Sequence, residues 1–292
     1  MRTLTWNRNV VPFCFLLPAF LLILVFLVVP LLYSFYLGFT SFSLIRDASP
    51  LYVGLKNYQR AIFGDDMFWR SLRITLAFTF VSVCLEFCIG LAVALLLDCV
   101  TTAKRFVRTT MLLPMMMTPV VVGLMWRFLW DSRFGLINYF LSRIGVPPVQ
   151  WIASPKVALL SVILTDVWQN SSFAILIFLA TLQVLPDDLY EAAGIDGASS
   201  VQSFWYLTLP LLKRAMLIVL VIRTLFAFRI FDTVYVLTDG GPADATLSLS
   251  IYVQRVAFRY FDLGYSSAIS WVMLILCVAL SYVYIRVLAE ER

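Results

Sequence analysis

The sequence predicts an all-α, polytopic membrane protein with six transmembrane helices, and three observations carry that expectation. The 292-residue chain is 62% hydrophobic and only 13% charged, with a mean hydropathy of +0.91, which is more apolar surface than a soluble globule of this length can hide. Six stretches are long enough to cross a hydrocarbon core, which takes about 20 helical residues. One polar interval, 186–210, interrupts the apolar runs with the pattern of two short helices joined by a tight turn.

Taken in order, the first span is expected over 11–35. Arg2 and Arg8 precede it as in a secretion signal, but the apolar run is too long and no A-x-A site follows, so it stays as an anchor. The segment 46–73 carries GLKNY at Gly54 to Tyr58 and an amphipathic MFWRSL at Met67 to Leu72. It reads as an outer cap, either an interfacial helix anchored by Trp69 and Arg70 or a partner contact. The second span is expected over 74–97 and the third over 107–130, where Pro114 and Pro119 remove backbone donors and kink the helix. Met111, Met115, Met116 and Met117 make that helix surface adaptable. Residues 131–156 are polar, with Pro147-Pro148 breaking any regular element, and read as an outer loop. The remaining spans fall at 157–181, 211–237 and 265–288. Residues 1–292 thus read as a single transmembrane domain, without repeats or a separate soluble domain. Lysine and arginine are shared almost equally between the two sets of loops. The clusters Lys104, Arg105, Arg108 and Lys213, Arg214 place their loops, and with them both termini, in the cytoplasm.

Ionisable residues at bilayer depth are costly unless paired or wetted, so each is a functional candidate. Those of this chain are Glu86, Arg127, Asp166, Arg223, Arg229 and Asp232. Asp166, Gln169 and Asn170 fall at i, i+3 and i+4 of one helix and share a face, with Trp168 adjacent. Arg229, Asp232 and Tyr235 follow one another at steps of three on the next span. Carboxylates and amides hydrogen-bond sugar hydroxyls and an aromatic ring stacks on a pyranose face, so both sets suit a solute path. They also suit simple pairing that staples helices together. Glu86 and Arg223 read as structural.

Pro186, Asp187 and Asp188 open a short helix in the polar interval, because proline sets its first φ and the carboxylates oppose the helix dipole. Glu191, Ala192 and Ala193 give it a small surface with one charge, suited to a protein groove. Gly194 and Gly197 interrupt it, and Ala198 to Phe204 form a second helix before Pro210. The series Glu191-Ala192-Ala193, Gly197 and Leu207-Thr208-Leu209-Pro210 resembles the EAA loop of the membrane subunits of binding-protein-dependent ABC importers. The resemblance extends through GLKNY, RTTMLLP at Arg108 to Pro114, WRFLWDSRFGLIN at Trp126 to Asn138, DVW at Asp166 to Trp168, and FDTVYVLTDGGPADAT at Phe231 to Thr246. These motifs are similar to those of the sugar-importer branch, the maltose and glycerol-phosphate type with a GGP segment after the fifth helix. Gly194 stands where that family commonly has a basic or amide residue, and Ser172 and Arg214 stand where it usually has proline.

The resemblance implies a permease forming half of a pathway for a carbohydrate or polyol. It further implies a heterodimer with a second permease, two cytoplasmic ATPases gripping the coupling loop at Glu191, Ala192, Ala193 and Gly197, and an extracytoplasmic solute-binding protein. The location it implies is a bacterial or archaeal plasma membrane. The chain contains no histidine and no Gly-Lys followed by Ser or Thr, so ATP is expected on partner subunits and no cofactor is expected here. Gly240-Gly241-Pro242 is a turn signal, not a phosphate cradle. The five cysteines are odd in number and mostly lie in apolar runs, which argues against a disulfide framework. A net charge of +5, scattered among apolar stretches, gives no nucleic-acid footprint. Two rival classes are an ion-coupled secondary transporter, separated by ATP dependence, and an intramembrane enzyme, separated by chemical turnover.

Overall fold

The computed structural model describes residues 10–46, 49–99 and 104–289. Arg2 and Arg8 lie outside the described residues, as do the side chains of Lys104, Arg105 and Arg108. Helix α1 (Val10–Ile23) runs through a π-helical turn at Leu24–Val28 into α2 (Val29–Leu37). The turn absorbs Pro30, whose ring opposes an ordinary α-helical bond to Phe26. A two-residue antiparallel ribbon, β1 (Thr40–Ser41) with β2 (Leu51–Tyr52), pairs Thr40 with Tyr52. It is followed by α3 (Lys56–Phe63) and the long α4 (Asp66–Cys99). Next come α5 (Lys104–Met116), α6 (Pro119–Leu129), α7 (Leu136–Arg143) and α8 (Ala158–Leu182). The polar interval holds α9 (Asp187–Ile195) and α10 (Ser200–Ser203), the latter continuing through a π-helical turn into α11 (Leu209–Leu211). The chain closes with α12 (Lys213–Phe228), α13 (Asp232–Leu237), α14 (Leu249–Phe258) and α15 (Leu263–Ala289).

Among the described residues, four helices are long and apolar enough to cross a membrane: Phe15–Leu37, Asp66–Asp98, Ala158–Leu182 and Leu263–Tyr284. A fifth candidate is a bent pair, Thr109–Met116 with Pro119–Leu129, whose axes differ by 102°. The expected third span, 107–130, is therefore two helices. Pro119 disfavours helical geometry at the residue before it, and Thr118 is extended at ψ 142°. The expected fifth span, 211–237, is also divided, between Phe228 and Asp232. No proline or glycine lies at that break. Within the break the hydroxyl of Ser248 donates to the carbonyl of Ile230 at 3.2 Å, so this carbonyl, which belongs to neither helix, is satisfied from a distant segment. MFWRSL is not a separate interfacial piece, since it forms the first turns of α4. The segment 131–156, expected as loop, contains α7.

The chain divides into two compact units, one of residues up to Asp65 with Val253–Met273, the other of Asp66–Tyr252 with the residues from Leu274 onward. In the first, Asn57 of GLKNY donates through Nδ2 to the carbonyls of Gly38 and Thr40 at 3.0 and 2.8 Å, tying α3 to the end of α2. Arg60 pairs with Asp262 at 3.1 Å and lies over the Tyr265 ring.

The second unit is built on α4, α8 and α12, whose buried Ala94, Leu97, Ala174, Phe178, Leu212 and Val219 form one core. Gly90 is required where α4 crosses α8, because a Cβ there would stand 2.4 Å from the Ala174 Cβ. In the segment before α8, Asn138 organises the backbone: its amide donates to the carbonyl of Val149 at 2.9 Å and accepts from the Trp151 indole at 3.0 Å. Asp131 accepts the backbone N–H groups of Phe134 and Arg133, and these bonds hold its carboxyl below the usual range.

Candidate functional site

A cavity of about 290 Å³ opens in the second unit, where the broken ends of two helices face the middle of α8. Asp166, Gln169 and Asn170 line it from α8, Pro119 from the start of α6, Arg223 and Phe226 from α12, and Arg229 to Thr233 from the segment entering α13. The two breaks help to form this space. At the first, Gln169 donates through Nε2 to the carbonyl of Met117 at 3.0 Å, satisfying a group that the proline bend releases. At the second, Arg229 caps the end of α12 and Asp232 opens α13, and both stand in the cavity wall.

Charge enters this wall through one cluster. Arg223 is almost buried and makes a two-pronged contact with Glu86 of α4, Nε to Oε2 at 2.5 Å and Nη2 to Oε1 at 2.8 Å. Its Nη2 also donates to Asp166 Oδ2 at 3.2 Å. Asp166 Oδ1 in turn accepts from Asn170 Nδ2 at 2.8 Å, and the same amide nitrogen reaches the Asp166 carbonyl at 3.1 Å. Both Asn170 donor contacts go to Asp166, which leaves its carbonyl oxygen as the atom for an incoming hydroxyl.

Of the residues expected along a solute path, Asp166, Gln169, Asn170, Arg229 and Asp232 come together in this cavity. Trp168 and Tyr235 do not line it. Trp168 points from a different side of α8 and packs edge-on against Trp126, at 5.6 Å between centroids. Tyr235 stacks on Phe231 at 5.3 Å. The expected continuous stripe Arg229, Asp232, Tyr235 fails because the helix that would have aligned it is broken. Among the described residues Arg229 and Asp232 form no ion pair with each other. Sequence reasoning left Glu86 and Arg223 apart from the path, yet Arg223 lines the cavity. No sequence signal joined them, since the ionisable residues of the spans balance at three arginines and three acids, and only the packing of α4, α8 and α12 sets Arg223 against two of the acids.

In the polar interval, α9 starts at Asp187 with Pro186 as its N-cap and runs through Gly194 to Ile195. Gly197 then takes a positive φ of +78°. Ser199 and Gln202 form a reciprocal cap on α10, so a helix of only four residues is held at its start. Glu191 and Ala192 are exposed and Ala193 half-exposed, beside the strongly exposed Ile195 and Val201. Behind this surface lies a second cavity, of about 520 Å³, lined by Leu95, Leu182, Tyr190, Gly194, Ala198 and Phe204 among others.

Residues 86–290 match the family of binding-protein-dependent transport system inner membrane components. The chain is 39% identical to the trehalose/maltose transport system permease protein MalF of Thermococcus litoralis, over 93% of this chain and 91% of that one. It is 34% identical to the sulfoquinovosyl glycerol transport system permease protein SmoG of Agrobacterium fabrum, over 94% and 89%. A crystal structure of a bacterial ABC transporter that imports the acidic polysaccharide alginate has the same fold, with a TM-score of 0.85 at 21% identity over 98% of this chain and 97% of that one. The cavity between broken helices and the exposed helix pair are thus features of a multi-pass membrane protein that belongs to the family of binding-protein-dependent transport system inner membrane components.

Proposed function

We propose that this chain forms half of the translocation pathway of an ATP-driven importer of a carbohydrate or related polyol. The observation that carries the reading is the cavity wall, in which carboxylate, amide and guanidinium groups from α8 and the α12–α13 break stand beside Phe226 and Phe231. Such a wall matches the alternating hydroxyl and C–H surface of a sugar. The names of the trehalose/maltose and sulfoquinovosyl glycerol relatives support the same substrate class.

In this reading the chain crosses the membrane six times, with α5–α6 and α12–α13 as its two broken crossings and both termini in the cytoplasm. A second permease supplies the other half of the path. Two ATPases bear on α9 and α10, with Ala192 and Ala193 seated in a groove, Glu191 as the charged contact and Gly197 setting the angle between the helices. ATP binding closes the ATPases and turns the cavity toward a solute-binding protein, and hydrolysis resets it. A complex of the alginate transporter with its pentasaccharide-bound periplasmic protein supports the last partner. Dependence of import on ATP separates this function from ion-coupled transport.

The test is Asn170→Ala in the assembled transporter. Removing a neutral amide whose carbonyl contacts sugar should lower import about tenfold, the worth of one lost hydrogen bond to substrate, while complex yield and basal ATP hydrolysis persist. Unchanged import at equal expression would remove the cavity from the path.

A further inference from the structure

The buried cluster that links α4, α8 and α12 contains two acids and one base. Glu86 is fully buried and Asp166 is 5% exposed, and Arg223, also 5% exposed, is the cation bound to both. One guanidinium nitrogen lies 2.8 Å from Glu86 Oε1 and 3.2 Å from Asp166 Oδ2. Both carboxyl groups therefore lie against the same guanidinium nitrogen. Closely placed buried carboxyls cannot both ionise without a large electrostatic cost, and they share one proton instead.

We propose that Glu86 and Asp166 hold one proton between them, so that the cluster with Arg223 is electrically neutral inside the membrane. The proton comes from cavity water, since Asp166 and Arg223 reach the cavity wall whereas Glu86 is sealed behind them. A carboxylate takes up H⁺ to become a carboxylic acid, the other remains ionised, and its charge balances the guanidinium. The groups facing the pair fit this count. From α12 there is Arg223, and from α8 Asn170, which donates to Asp166. Gln169 is committed to the Met117 carbonyl at the α5–α6 bend. Across the cavity stand Arg229 and Asp232, one charge of each sign. None of these supplies the second positive charge that two ionised acids would need. The inference does not depend on which solute uses the cavity.

Infrared difference spectra of the reconstituted transporter in H₂O and D₂O test this at neutral pH, with complex yield measured in parallel. Wild type should show the deuterium-sensitive C=O stretch of one buried carboxylic acid. Glu86→Gln and Asp166→Asn should each lose that band yet still assemble, because the remaining acid ionises and pairs with Arg223. The double variant Glu86→Gln/Asp166→Asn should lose assembly, since it leaves Arg223 buried without a counter-charge. Absence of the band in wild type, or its survival in both single variants, would overturn the proposal. So would single variants that lose assembly as fully as the double, or a dependence of assembly on Na⁺ or K⁺ that marks a metal cation in place of the proton.

Discussion

Gly197 stands at φ +78° with no heavy atom within 4 Å of where a Cβ would point, so its constraint is conformational and not steric crowding from neighbours. Gly197→Val should cost about 1–3 kcal/mol locally, the strain of a β-branched residue in a left-handed conformation. The turn between α9 and α10 should open while membrane insertion survives. Protease sensitivity of the 186–210 segment, compared at equal membrane levels, reads this directly: unchanged cleavage would mean that the turn does not need the positive φ. Glycine at this position was readable as a turn signal. The role of Asn138 was not, because its three carbonyl partners lie between six and eleven residues away, and the side chain's use depends on how that segment folds back.

At the scale of the element, the crossing of α4 and α8 decides how closely the core can pack. The nearest atoms to a Cβ at Gly90 are the Ala174 Cβ at 2.4 Å, then backbone of Ala174 and Ile175 at 3.2 Å. Backbone cannot rotate away as a side chain can. Gly90→Ala should therefore destabilise the permease by about 1–3 kcal/mol through overpacking, and adding Ala174→Gly should restore part of the loss. Thermal unfolding of the purified transporter in detergent gives both values. If the two substitutions were simply additive, the helices would have room to spare at this point. The bends obey a similar logic. Pro119 announces one break in the sequence itself. The other has no such residue, and within it the Ile230 carbonyl is bonded by the Ser248 hydroxyl, 18 residues away.

At the scale of the whole molecule, the proposed assembly must carry force from ATPases to the cavity, and α9–α10 is the surface proposed to meet them. Ala193→Trp should block assembly by bulk, with a fall in the yield of co-purified ATPase. Glu191→Ala should leave the complex intact but lower ATP hydrolysis stimulated by the loaded binding protein, by roughly tenfold to somewhat over a hundredfold if a charge-assisted contact worth about 1.5–3 kcal/mol is lost. Normal yield in the first and normal stimulation in the second would show that the ATPases dock elsewhere. The 520 Å³ cavity behind the helix pair, bounded by Leu95 of α4 and Leu182 of α8, places this surface directly on the two helices that also carry Glu86 and Asp166.

The sequence by itself determined the membrane class, the family and the local chemistry of the 186–210 segment. Apolar run length, the order of separate motifs, and turn signals such as Pro186 and Gly197 act within a few residues. It also determined which side chains share a face of α8, because helical periodicity places Asp166, Gln169 and Asn170 together. Only the tertiary structure decided what that face meets. Glu86 and Arg223 are 137 residues apart, and their union with Asp166 follows from which helices pack against one another. Periodicity states the direction in which a side chain leaves its helix; the partner that receives it is set by long-range packing and by the high cost of leaving a buried charge alone.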